Sequence, residues 1–156
     1  MKIIMNDAAF AKKGFSISTD QSLLNFELIY RFLDQDSYWA KGIPPEKLRS
    51  ALGNSLCFGV YYYQEQVGLA RLVTDKATFA YLCDVFILPA YRGNGLSKWL
   101  MQTIRAHPDL QGLRRWSLAT VDAHSLYAQF GFNPITRPER WMEIFSPYTV
   151  KKNEEN

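Results

Sequence analysis

Val85-Phe86-Ile87-Leu88-Pro89-Ala90-Tyr91-Arg92-Gly93-Asn94-Gly95-Leu96-Ser97 is the stretch whose reading decides the fold. An apolar strand runs into Pro89, the chain turns through Arg-Gly-Asn-Gly, and a helical pattern begins at once. Leu96, Trp99, Leu100, Met101, Thr103 and Ile104 recur at the spacing of one helix face. Glycines at the mouth of a helix let backbone N–H groups close around an anion, and the helix dipole favours negative charge there. Arg92 adds a fixed charge that suits phosphate. The stretch therefore predicts a pyrophosphate site. Two common sites fail on spacing. A dinucleotide fingerprint needs a third glycine where Lys98 stands, and the Gly-Lys-Ser/Thr of a Walker A loop occurs nowhere in the chain.

Outward from this turn the chain reads as alternating strands and helices. Upstream, Phe15-Ser16-Ile17-Ser18 alternates like a short strand, and Thr19 or Asp20 caps a helix carrying Leu23, Leu24, Leu28, Ile29 and Phe32. Residues 34–45 read as a loop, and Pro45 opens a short helix to Leu52. Leu56 to Tyr63 and Val67 to Thr74 form an antiparallel hairpin turning at Gln64-Glu65-Gln66, followed by a third strand, Thr78 to Leu88. The helix after the glycine turn ends at His107-Pro108. A strand from Arg114 to Thr120 follows, then a helix capped near Asp122 and closed by Gly131. Two further strands are expected around Phe132 to Ile135 and Trp141 to Phe145. This order predicts an α/β fold: a mixed, mostly antiparallel sheet of about six to seven strands flanked by about four helices.

The chain has 156 residues, the size of one domain, read here as residues 1–150 with a polar tail over 151–156. Its hydrophobic share of 47% and aromatic share of 15% are those of a protein with a bulky core. A formal charge of +3, with basic residues scattered, argues against nucleic acid as partner. Cys57 and Cys83 sit in apolar strands, where buried reduced thiols are expected, and no Cys/His spacing suggests a metal site. The first residues turn polar too soon for a signal peptide and no apolar run reaches membrane-spanning length, so a cytoplasmic protein is expected.

The turn resembles the signature Arg/Gln-x-x-Gly-x-Gly/Ala of the GCN5-related N-acetyltransferases (GNAT), read as Arg92-Gly93-Asn94-Gly95-Leu96-Ser97. The last position is Ser instead of Gly or Ala, still small enough for close approach. A second segment, Thr120 to Phe132, is similar to the family's Asn-x-x-Ala-x-x-Leu-Tyr-x-x-x-Gly-Phe, with Thr120 replacing the Asn. The resemblance extends from about Val67 to Phe145 and implies a GNAT fold with acetyl-CoA as co-substrate. It implies that the backbone of Val85, Phe86 and Ile87 pairs with the pantetheine arm. Arg92, Gly93, Asn94, Gly95, Leu96 and Ser97 would hold the pyrophosphate, with Lys98 as a further charge or simply a solvated side chain. Thr120 would donate to the cofactor.

Two residues carry the chemistry in this reading. Tyr127, on the stripe Ala123, Leu126, Tyr127 and Phe130, is implied by the resemblance to protonate the leaving thiolate. An ordinary phenol near pKa about 10 is protonated at neutral pH, which suits an acid. Asp84 is the polar anomaly of its strand, whose faces read as Phe79, Tyr81, Cys83, Val85, Ile87 and as Ala80, Leu82, Asp84, Phe86, Leu88. Apolar surroundings would raise its pKa toward that of a base, and a structural Asp held by backbone N–H groups or an Arg is the other reading. His124 stands one turn before Tyr127, as a proton relay or as an exposed cap. Tyr30, Asp34, Tyr38, Trp39, Arg71, Trp141 and Glu143 are the acceptor-side residues, aromatics with carboxylates that suit an amine or equally pack the surface. The expected activity is acetyl transfer to a primary amine of a small molecule or peptide. The alternative is a non-catalytic acyl-CoA-binding or regulatory module of the same fold. Homodimerisation is compatible with the family, and no residue decides it.

Overall fold

The computed structural model describes residues 7–149; the 151–156 tail lies outside them. The chain order is α1 (Asp7–Lys12), β1 (Phe15–Ser18), α2 (Phe26–Arg31), α3 (Pro45–Gly53), β2 (Leu56–Tyr62), β3 (Glu65–Thr74), β4 (Phe79–Ile87), α4 (Leu96–Ala106), β5 (Arg115–Leu118) and α5 (His124–Ala128). The strands form one sheet in the order β1-β2-β3-β4-β5, antiparallel except for the parallel β4–β5 pair. The sheet is thus mixed and mostly antiparallel, as expected, with five strands among the described residues. The strands expected at 132–135 and 141–145 are absent; both stretches run without ladder partners.

Each face of the sheet carries its own core. One joins Phe10 of α1 and Leu96, Leu100, Met101 and Ile104 of α4 to Val60, Leu72, Ala80 and Leu82. The other joins Ile29, Leu33, Leu48 and Leu52 to Cys57, Leu69 and Phe86. Helices on both faces explain why β2 to β4 are apolar on both sides instead of alternating.

Local chemistry explains where boundaries moved. Asp20 caps only a 3-10 turn, accepting from Ser22 N–H at 2.9 Å, and Asn25 caps α2 by accepting from Leu28 N–H at 3.1 Å. The single helix expected from Thr19 or Asp20 is therefore split, and Leu23 is exposed. Pro45 opens α3 as expected. The hairpin turns at Tyr63-Gln64, with Tyr63 at φ 53, so β3 starts at Glu65. α5 starts at His124, and the Thr120 hydroxyl, not Asp122, accepts from Ala123 N–H at 3.1 Å. Gly131, at φ 95, closes α5 as expected.

The decisive irregularity is in β4. Between the pairs Leu69↔Phe86 and Arg71↔Cys83 the chain advances two residues on β3 and three on β4. The extra residue is a bulge at Asp84, which adopts φ 50, a conformation that Asp tolerates better than most residues. The bulge switches the strand's faces. Ala80 and Leu82 enter the α1/α4 core and Phe86 the opposite one, so the unbroken alternation expected along this strand does not hold.

Candidate active site

β4 and β5 pair only from Phe79↔Arg115 to Leu82↔Leu118. Beyond Leu82 the bulge turns β4 away, β5 ends, and a cleft of about 330 Å³ opens between the strands. Leu82, Cys83, Asp84 and Val85 line it from β4, and Leu118, Thr120 and Asp122 from the other arm. Tyr38, Trp39, Tyr81 and Tyr127 complete the wall. That volume suits a small ligand or the end of a larger one.

The backbone of β4 faces the cleft at defined positions. Leu88 N–H donates to Val67 C=O at 2.8 Å, so Leu88 and, by alternation, Phe86 turn their polar groups toward β3. Val85 and Ile87 then turn theirs toward the split. Arg92 Nε donates to the Ile87 carbonyl at 2.9 Å, so of these two carbonyls that of Val85 is the open one. Of the three residues expected to offer backbone groups, Phe86 instead points its groups into the sheet.

The glycine turn lies at the same end of β4. Gly93 and Gly95 take φ of 83 and 78, and Gly95 is the cap residue of α4. A Cβ at Gly93 would meet nothing within 4 Å, so only its backbone conformation demands glycine. Asn94 Nδ2 donates to Tyr91 C=O at 2.9 Å, so Asn94 and Arg92 both brace the turn from behind. Among the described residues, the N–H groups from Gly93 to Lys98 find no backbone or side-chain acceptor. They form an amide cradle at a helix N-terminus. Lys98 is exposed beside it.

Asp84 is buried at 8% exposure, and both its oxygens are engaged. Arg71 Nε donates to Oδ2 at 2.7 Å and Trp39 Nε1 to Oδ1 at 2.8 Å. Arg71 also reaches Ser55 Oγ at 3.1 Å. Burial works against the Arg71 charge, Asp84 outweighs it, and the guanidinium is held charged. Tyr127 is buried among Ala123, Leu126, Phe130 and Phe132, with its ring edge-on to Phe132 at 6.0 Å. Burial, reinforced by Tyr38 and Asp122, pushes its phenol up to about 12. Its hydroxyl makes no hydrogen bond among the described residues and stands at the cleft wall.

The acceptor-side residues separate. Tyr38 and Trp39 line the cleft and bridge its two arms: the Tyr38 hydroxyl accepts from Val121 N–H at 3.1 Å while Trp39 holds Asp84. Tyr30 stacks on Phe26 at 6.0 Å and does not reach the cleft. Asp34 accepts from Gly42 N–H at 2.9 Å and shapes the loop. Arg71 sits behind Asp84, and Trp141 stacks with Arg115 at 4.7 Å in a separate hollow with Arg137 and Arg140. His124 is exposed at the start of α5. Tyr81, Cys83 and Asp122 are cleft residues that the sequence did not single out. A Tyr on a strand otherwise apolar on both faces was the available signal for Tyr81. Asp122 showed only helix-cap chemistry.

Fold and site together define an α/β protein with a cleft at the split of its sheet and an amide cradle at the N-terminus of α4. Residues 53–134 match the acetyltransferase (GNAT) domain family. The chain is 36% identical to a candidate acetyltransferase of Gibberella zeae over 142 residues, covering 77% of this chain and 79% of that one. A crystal structure of a candidate GNAT acetyltransferase from Xanthomonas campestris pv. campestris superposes with a TM-score of 0.85 at 53% identity, covering 88% of this chain and 97% of that one. At 15% identity, an acetyltransferase-fold structure from Clostridium acetobutylicum, solved with acetyl-CoA, has a TM-score of 0.58 and covers 84% of this chain and 94% of that one. The chain belongs to the GNAT acetyltransferase family.

Proposed function

We propose that this chain transfers the acetyl group of acetyl-CoA to a primary amine of a small molecule or peptide, by direct attack of the amine on the thioester. The observation that carries this reading is a coincidence at one end of β4. Six consecutive unbonded N–H groups at the start of α4 follow shortly after the strand whose Val85 lines the cleft together with the proton-bearing Tyr127. The amides from Gly93 to Ser97 would hold the pyrophosphate, with the exposed guanidinium end of Arg92 close by.

Within the cleft, Val85 N–H polarises the thioester carbonyl as an oxyanion donor. The Thr120 hydroxyl, whose oxygen already accepts from Ala123, retains its proton to donate toward the co-substrate. Tyr127 keeps its proton well above neutral pH and delivers it to the departing thiolate. Tyr38, Trp39 and Tyr81 form the aromatic wall for the incoming amine. Asp84 enters as the anchor of Arg71 and Trp39, because both its oxygens are occupied. Asp122 lines the cleft with no chain partner among the described residues, so the amine's proton leaves through water toward that carboxylate.

Calorimetry with acetyl-CoA, followed by release of CoA thiol across a panel of amines, tests this reading. Stoichiometric binding that ATP and NAD do not displace, with thiol release for at least one amine, is expected. Binding without turnover across a broad panel would identify the non-catalytic module instead.

A further inference from the structure

A second hollow, of about 510 Å³, lies at the start of β5 and is lined by Arg115, Thr136, Arg137, Arg140 and Trp141. The sequence Arg137-Pro138-Glu139-Arg140-Trp141 builds most of it locally. Pro138 opens a 3-10 turn, in which Arg140 N–H donates to Arg137 C=O at 3.0 Å and Trp141 N–H to Pro138 C=O at 3.1 Å. Residues three apart eclipse in such a turn, so Arg137 and Arg140 fall on one side of it. Arg115 comes from β5, with its guanidinium over the Trp141 ring at 4.7 Å. A guanidinium held over a ring keeps its edge donors free for a pair of oxygens.

Nothing in the chain balances this charge. Among the described residues the ion pairs are Arg71–Asp84 and Lys76–Asp109, so none of the three arginines meets a carboxylate. Even Glu139, in the same turn, does not pair with them. Three like charges gathered in one hollow repel one another, and an anion placed between them relieves that repulsion. Guanidinium forks match the oxygens of phosphate and carboxylate, and the Thr136 hydroxyl adds a donor.

The hollow is set toward the cleft. β4 and β5 pair in parallel at Phe79↔Arg115 and Tyr81↔Ser117, so Arg115 and Tyr81 project from the same face of the sheet. They are one strand and two residues apart, roughly 8 Å between Cα atoms. Tyr81 is a wall of the cleft, so a ligand lying across it reaches from the cleft to the arginines. We propose that the hollow is an oxyanion site for a phosphate or carboxylate group carried by the acceptor, which makes the acceptor class amines with a remote acidic group. This assignment of the acceptor rests on the acetyl-transfer reading; the anion site itself does not. Asp122 at the cleft, and Glu143, whose charge reaches Tyr81, attract the ammonium end of such a ligand, and the arginines attract its anionic end.

Calorimetry and kinetics on the full chain test the two parts separately. The chain is first saturated with CoA, so that the amide cradle of α4 is occupied, and is then titrated with inorganic phosphate at low ionic strength. One phosphate per chain is expected, bound at least tenfold more weakly by the double variant Arg137→Ala/Arg140→Ala. Both arginines are exposed, so the variant should keep the circular dichroism and melting temperature of the parent. No phosphate binding by the CoA-loaded chain, or binding indifferent to the double variant, overturns the site. Thiol release is then compared for an ω-aminoalkyl phosphate and the ω-amino alcohol of the same length, spanning roughly 8–10 Å. The phosphate member should have a KM at least tenfold lower, and the double variant should bring the KM ratio of the pair to about one. Equal KM values in the parent chain, with phosphate bound at the arginines, overturn the acceptor assignment. Thiol release with no amine at all, while phosphate still binds there, sinks the acetyl-transfer reading and leaves the anion site standing.

Discussion

Replacing Asp84 by Ala removes three things at once, and the structure sizes each. Asp84 and Arg71 are 8% and 17% exposed, so the variant strands a guanidinium with little solvent to replace its partner. Breaking one side of such a buried pair costs about 3–5 kcal/mol, and the residual exposure of Arg71 places this case in the lower half. The Trp39 bond at 2.8 Å adds a buried indole N–H left without an acceptor. Alanine at φ 50 adds about 1 kcal/mol of left-handed strain that Asp tolerates better. Asp84→Ala should therefore lose about 4 kcal/mol, which for a chain of this size lowers Tm by roughly 10 °C. Asp84→Gly should recover about 1 kcal/mol of that loss by relieving the strain alone. Asp84→Asn keeps an acceptor and the turn preference, and should cost about 2 kcal/mol. Urea unfolding followed by circular dichroism reads all three, and a cycle with Arg71→Met isolates the pair. An Asp84→Ala loss below about 0.5 kcal/mol, the level of an ordinary surface change, would refute the anchoring role.

Further outcomes follow from the same geometry. Gly95→Ala, at φ 78 on the cap of α4, should cost about 1–2 kcal/mol and weaken acetyl-CoA binding at least tenfold, read by thermal melts and calorimetry. Burial pushes Cys57 up to about 11 and Cys83 to about 12, and Tyr127 to about 12. These groups contribute their full stability below their ordinary values of 9.0 and 10.0 and lose it as pH rises toward 11–12, where the unfolded chain ionises first. Urea midpoints should be flat from pH 7 to about 9 and then fall. For the same reason both thiols of the folded chain should react with a thiol reagent at pH 8 far more slowly than after unfolding.

Much of the fold was legible because its signals are local. Pro45 and Gly131 bounded helices, the glycine turn announced α4, and the apolar runs of β2 to β4 announced a sheet covered on both sides. What was not legible depends on tertiary contacts. The bulge at Asp84 carries no sequence mark beyond a polar residue in an apolar run, yet it reverses which core Phe86 joins and opens the cleft. Asn25 rather than Asp20 began α2 because two good capping residues compete within six positions, and the core decides between them. The 141–145 run has strand composition but no ladder within its own chain, so pattern alone placed it in the sheet. In the site, the turn and Tyr127 were readable from short motifs. Tyr81 and Asp122 were not, because their role is set by where β4 and β5 part.

The central claim is that Tyr127 supplies a proton at a cleft loaded with acetyl-CoA. Its most direct test is the rate of CoA thiol release by Tyr127→Phe, using the best amine found for the parent chain, alongside calorimetric affinity for acetyl-CoA. The account predicts a kcat lower by about 10²–10⁴-fold with affinity unchanged within twofold. Full turnover in a folded Tyr127→Phe protein, or no thiol release by the parent chain with any amine, would contradict it.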